Sequence, residues 1–131
     1  MAGFVFVDVG ANVGGYSFWM PKVLGSDATV VAIEPDPPLV AGLEANLSWN
    51  ACDNVRVVPA AVGASADERT LFVRADNLGE NSLERPDVHD SAIVRTETVT
   101  VRPLAALLQA EGLPRVDALK IDIEGMELPV M

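Results

Sequence analysis

Asp8-Val9-Gly10-Ala11-Asn12-Val13-Gly14 follows directly on the apolar run Phe4-Val5-Phe6-Val7. An apolar strand that ends in an acid and passes into a glycine-bearing loop can hold a small polar ligand. The glycines let the backbone approach the ligand closely, and the acid accepts its hydrogen bonds. Doubly wound α/β proteins open their nucleotide sites at such a junction. A second junction, Lys120-Ile121-Asp122-Ile123-Glu124-Gly125, also closes an apolar segment. Two polar strand ends on one sheet predict one cleft. Between them Glu34 ends the β-branched run Thr29-Val30-Val31-Ala32-Ile33, where an acid in this architecture accepts from ribose hydroxyls and implies an adenosine-type ligand.

The first loop departs from the dinucleotide fingerprint. G-x-G-x-x-G requires glycine where this chain has Asn12. A pyrophosphate rests on amides at a helix N-terminus; a ligand without phosphate relaxes that demand and can use side chains such as Asp8 and Asn12.

The elements that must position these residues follow from periodicity. Tyr16 to Leu24 is apolar at near-helical spacing and closes on Gly25, a residue type favoured after a helix end. Pro21 inside it predicts a kink or a later helix start. The next helix is expected from Pro37 or Pro38 through Leu47, with Leu39, Val40, Leu43 and Leu47 as its core stripe. Val55-Arg56-Val57-Val58 reads as a third short strand, and the spacing of these runs suits βαβ units. Thr70–Val73 and Glu97–Val101 read as strands flanking a polar stretch, an inserted β excursion. Leu104, Leu107 and Leu108 predict a short helix stopped near Gly112 and Pro114, before a strand from Val116 to Ile121. The chain stops at Leu128-Pro129-Val130-Met131, where a further helix should be starting, so the core is expected to be cut short. The final strand would then be a hydrophobic edge offering a route to self-association.

Composition narrows the classes. At 131 residues, half of them hydrophobic, the chain is one domain with enough apolar material for a core. The net charge of −10 argues against a nucleic-acid backbone or an anionic membrane surface as partner. No apolar run approaches the roughly 20 residues that span a bilayer, and Met1-Ala2-Gly3 carries no charged leader, so the cytoplasm is the expected location. Cys52 is the single cysteine and reads as a loop thiol, and His89, the only histidine, as a solvated side chain.

D-V-G-A-N-V-G, I-E-P-D-P, the Asn46 and Asn50 pair, A-A-V-G and L-K-I-D-I-E-G-M-E stand in this order along the chain. The sequence thereby resembles the FkbM-type S-adenosylmethionine-dependent methyltransferases. The resemblance implies an α/β, Rossmann-like class I methyltransferase core, residues 1–131 forming a single partial domain with a mostly parallel sheet cut short after the fourth core strand. It implies that Asp8, Gly10, Asn12 and Gly14 line the methionine end of S-adenosyl-L-methionine, that Glu34 holds its ribose, and that the adenine lies near Ala61. Asp122 would face the sulfonium and Glu124 the acceptor, a hydroxyl on a sugar or secondary metabolite.

One of these two acids would act as a base toward the acceptor hydroxyl; otherwise they orient the cofactor or cap the following helix. Two acids without a third oxygen donor are too few for a hard cation, and no metal is expected. A polar loop with Asn81 and Ser82 would lie near the pocket entrance. Ala105 stands where the family often has an acid. The rivals are a non-catalytic adenosyl-ligand-binding remnant and an NAD-dependent oxidoreductase, the latter disfavoured by Asn12.

Overall fold

A computed structural model of the chain describes residues 3–12, 14–74, 83, 93–113 and 115–122. Strand β1 (Val5–Val9) is buried along its whole length. It pairs in parallel with β2 (Thr29–Ile33) on one side and β7 (Ala118–Ile121) on the other, and β2 pairs in parallel with β3 (Val55–Val58). The sheet order β3-β2-β1-β7 makes β1 the strand from which successive connections run in opposite directions. Such a switch point leaves a crevice at the carboxyl ends of the strands. In register, Val9 lies beside both Ile33 and Ile121, so Glu34 and Asp122 leave their strands at the same edge as the loop after Val9.

Alternation along β1 divides the core between the two faces of the sheet. Val5, Val7 and Val9 pack with Val31, Ile33, Ala60, Val62 and Leu107 of helix α3 (Leu104–Ala110). On the opposite face Ala32 meets Leu43 and Leu47 of helix α2 (Pro37–Trp49), with Phe18 of helix α1 (Gly15–Leu24) against them. Leu39 is only half-buried, so the stripe on α2 narrows to Val40, Leu43 and Leu47. Helix α1 runs through Pro21 without ending there. The proline deprives only the Ser17 carbonyl of its usual donor four residues on.

A second sheet, in the order β4-β6-β5, is built from β4 (Ala61–Val62), β5 (Asp67–Arg74) and β6 (Ile93–Arg102). β5 and β6 form a long antiparallel pair with an irregularity at Val73/Arg74. The β excursion is therefore present and longer than its apolar residues indicate. Ala61-Val62 is a short strand rather than a turn, paired in parallel with β6. β7 begins two residues later than the apolar run from Val116: Val116 packs against the first core, and Asp117 uses its carboxylate to accept the Val5 N–H at 2.7 Å. Among the described residues β7 is an edge of its sheet, with Leu119 exposed. No helix among them is long and apolar enough to cross a membrane.

Candidate functional site

The loop after β1 is held by its own amides. Gly10 N–H and Ala11 N–H both donate to the Ile33 carbonyl, at 2.9 and 3.1 Å, and Gly14 N–H donates to the Ala11 carbonyl at 2.9 Å. Asn12 N–H donates to Glu34 Oε1 at 2.9 Å. Gly10, Asn12 and Gly14 have φ of 79°, 54° and 88°, the left-handed region that glycine enters freely and asparagine tolerates. The amides of Gly10, Ala11, Asn12 and Gly14 therefore serve the fold rather than a phosphate. The loss of the second fingerprint glycine thus has a structural counterpart.

The loop instead offers acceptors. Asp8 is buried, and its Oδ2 accepts from the Ser17 hydroxyl at 3.0 Å. Asp8 Oδ1 and Asn12 Oδ1 are buried without a hydrogen-bond partner. Lys120 Nζ stands 3.7 Å from Asp8 Oδ1, an ion pair too long to be a hydrogen bond. Burial pushes the Asp8 carboxyl above its usual range, with Lys120 and the Ser17 hydroxyl opposing the shift. Buried polar atoms seldom lack a hydrogen bond, and two acceptors that receive none on one loop fit a ligand rich in N–H and O–H donors.

Glu34 is a clip. Its Oε2 accepts the Asp36 N–H at 2.9 Å while Oε1 holds Asn12, so one carboxylate ties the loop after β2 to the loop after β1. Burial raises its pKa, and the hydrogen bonds from Asp36 and Asn12 work against that rise. Both oxygens face donors fixed by the backbone. Glu34→Gln turns an NH₂ toward one of them, an expected loss of about 1–3 kcal/mol in stability. A lower urea midpoint at unchanged slope is the check; an unchanged midpoint would show that neither amide depends on the clip.

Lys120 lies between Asp8 and Asp122, 3.6 Å from Asp122 Oδ2, and its ammonium sits 4.8 Å from the centre of the Tyr16 ring. Asp122 follows β7, donates its N–H to the Val9 carbonyl at 3.0 Å, and keeps its side chain 73% exposed. Asp8, Asn12, Glu34 and Asp122 are thus gathered at one edge of the parallel sheet. Ala61 is placed differently: its side chain is buried in the second core with Leu71, Val73, Leu83, Val99 and Val101, which leaves only its backbone to face a ligand. Glu124, Asn81, Ser82 and His89 lie outside the described residues. Asn50, which the sequence pairs with Asn46, donates its side-chain amide to the Asn46 carbonyl at the end of α2. Cys52 packs beside the same helix, against Leu43 and Leu47.

Three site features have no local sequence signal. Ser17 is a polar residue on the buried face of α1, marked in sequence only by its register with Pro21 four residues on. The Tyr16 ring meets Lys120 only because β7 pairs beside β1. Asp36 is fully buried, and Arg95 donates to both its carboxylate oxygens, at 2.8 and 2.9 Å, across fifty-nine residues.

A parallel sheet with its switch point beside an acceptor-lined loop defines the class: an α/β domain with a candidate ligand site at the carboxyl ends of its strands. The family model of the methyltransferase FkbM domain matches residues 8–131. The chain belongs to the FkbM methyltransferase family. It is 28% identical to "Methyltransferase sdnD" of Sordaria araneosa over 95% of this chain and 58% of that protein. It is 26% identical to "Methyltransferase 1" of Beauveria bassiana over 95% of this chain and 56% of that protein. The chain therefore spans somewhat more than half the length of these relatives. The crystal structure of a methyltransferase FkbM from Methylobacillus flagellatus KT superposes with a TM-score of 0.62 at 20% identity, covering 98% of this chain and 28% of that one, a likeness of fold.

Proposed function

We propose that this chain is the cofactor-binding core of an S-adenosyl-L-methionine-dependent methyltransferase that acts in the cytoplasm on a hydroxyl of a sugar, glycan or secondary metabolite. Membership of the FkbM family supports methyl transfer. The observation that carries the cofactor assignment is the pair of buried acceptors Asp8 Oδ1 and Asn12 Oδ1, neither of which receives a hydrogen bond, at the sheet's switch point. When bound, the cofactor would supply an electrophilic methyl group on a sulfonium.

The chain's own residues would do the rest. Asp8 and Asn12 would accept from the ammonium of the methionine end, and Glu34, already oriented by two amides, would accept from a ribose hydroxyl with its remaining lone pairs. Gly10 and Gly14 let the loop turn beside the ligand. Ala61 would contribute its backbone near the adenine. Asp122, exposed and paired with Lys120, would face the sulfonium and Glu124 the acceptor, and one of the two is a candidate to take the hydroxyl proton. The exposure of Asp122 gives weight to a second reading, binding of an adenosyl ligand without turnover, because its carboxylate stands in water rather than in a closed site.

Calorimetric titration of the purified protein with S-adenosylmethionine, S-adenosylhomocysteine and NAD tests the assignment. Saturable binding of the two adenosyl ligands with no heat from NAD is the expected result. A folded protein that binds neither adenosyl ligand would overturn it, and NAD competing with them would favour the oxidoreductase. Methyl transfer to a hydroxyl acceptor by the binding-competent protein separates catalysis from binding alone.

A further inference from the structure

We infer that Arg95, on the second sheet, is a positioning residue for the ribose end of the cofactor pocket. Its guanidinium donates to both carboxylate oxygens of Asp36 and, through its other terminal nitrogen, to Glu97 Oε1 at 2.8 Å. Asp36 is fully buried, and the Arg95 side chain beside it is 33% exposed, so one terminal nitrogen of Arg95 serves both oxygens of a carboxylate that water does not reach. The Asp36 N–H is one of the two donors on Glu34, and the Asn12 N–H is the other. A continuous path of hydrogen bonds thus runs from β6, through the turn after β2, to the loop after β1.

The turn is stiff enough to transmit a displacement. Pro35 and Pro37 flank Asp36; each fixes its own φ, and each confines the residue before it to extended backbone. Asp36 accordingly has φ −77° and ψ 115°. With few torsions left to absorb movement, a carboxylate that shifts carries its own amide with it. Without the guanidinium, the buried Asp36 carboxylate loses the ion pair and the two hydrogen bonds that Arg95 gives it and settles in a new position. That shift disturbs the N–H that orients Glu34. Arg95 touches no part of the proposed ligand site, yet it sets the direction in which Glu34 presents its free lone pairs.

This rests on the assignment of Glu34 as the ribose acceptor, and a double-mutant cycle separates the two. Arg95→Met, Glu34→Ala and the double variant are titrated with adenosine and S-adenosylhomocysteine, with circular dichroism to establish folding. Arg95→Met is expected to weaken both ligands about tenfold, and to weaken them less than about twofold in the Glu34→Ala background, since coupled residues are not additive. Should Arg95→Met not fold, Arg95→Lys takes its place. It keeps the charge and one nitrogen for Asp36 but not the second nitrogen that Glu97 holds in place, and a loss of about threefold is expected from the same cycle.

Equal losses with and without Glu34 would mean that Arg95 acts on the fold at large, and would overturn the inference. Unchanged affinity in a folded Arg95 variant would overturn it too, while wild-type binding and a weakened Glu34→Ala left the ribose assignment standing. A Glu34→Ala protein that binds as the wild type does would remove the ribose assignment and this inference together.

Discussion

Gly14→Ala is expected to cost about 2–5 kcal/mol of folding stability, while Gly42→Ala, in the middle of α2, adds about 0.5–1 kcal/mol. The opposite signs come from what each new Cβ meets. At Gly14 it would lie 2.5 Å from Leu43 Cδ1 and 2.8 Å from Phe18 Cε2, on a backbone with φ +88°. Leu43 is among the most deeply buried side chains of the core between sheet and helices, so it has no free direction in which to move. Side chain and backbone both object, and their penalties add. At Gly42 nothing lies within 4 Å of the new Cβ, so alanine only reduces the conformational freedom of the unfolded chain. Urea midpoints for the two variants beside the wild type are the check. A Gly14→Ala protein as stable as the wild type would mean that α1 and α2 can separate without loss. A folded fraction that bound the proposed cofactor as the wild type does would mean that the loop tolerates such a shift.

The close approach of Gly14 to α2 also shows what was legible in the sequence. D-V-G-A-N-V-G announces a tight turn after a buried strand, and the run Thr29–Ile33 coincides with β2 residue for residue. Strands buried on both faces consist of little but apolar residues, so their ends are marked sharply by Asp, Glu and Pro. The hairpin is different. β5 begins at Asp67-Glu68-Arg69, and β6 carries Arg95 and Glu97 within it. These residues join the ladder because they pair across it, Arg69 with Val99 and Glu97 with Leu71, and a cross-strand partner cannot be read from a local run. β4, two residues long, falls below any period.

At the site, residue types were legible and partners were not. Glu34 reads as a ribose acceptor from its place at a strand end. That it also clips two loops together depends on Asp36 and Asn12 meeting in space. The acidic members of L-K-I-D-I-E-G read as the chemically active ones, yet Lys120, two residues ahead of the first of them, is the residue that reaches Asp8. Its position opposite Asp8 is a matter of strand register, fixed only when β7 pairs with β1.

Asp8→Asn is expected to separate stability from binding. Affinity for S-adenosylmethionine should fall by about 10–100-fold, the loss of a charge-assisted acceptor for an ammonium, while the unfolding midpoint at pH 7 stays level or rises. The two outcomes share one cause. Burial disfavours the ionised form of Asp8 more strongly than Lys120 and Ser17 favour it, so the folded protein holds a proton on Asp8 at pH values where the unfolded chain, with an ordinary value of 3.8, has released it. Folding with this carboxylate ionised is therefore costly at neutral pH. As pH falls through the raised folded value the cost is relieved, and below 3.8 both states are protonated and no further change follows. The advantage of Asp8→Asn over the wild type should accordingly be greatest near neutrality and shrink with acidification. Unlike Glu34, Asp8 can take the amide without setting a donor against a donor, because the Ser17 hydroxyl can still give its proton to the remaining oxygen and Lys120 can turn to Asp122. Paired thermal melts between pH 4 and 8 read the effect. An Asp8→Asn protein less stable than the wild type throughout would show the carboxylate to be a structural ion-pair partner of Lys120, and its oxygen without a hydrogen bond would no longer mark a place for a ligand.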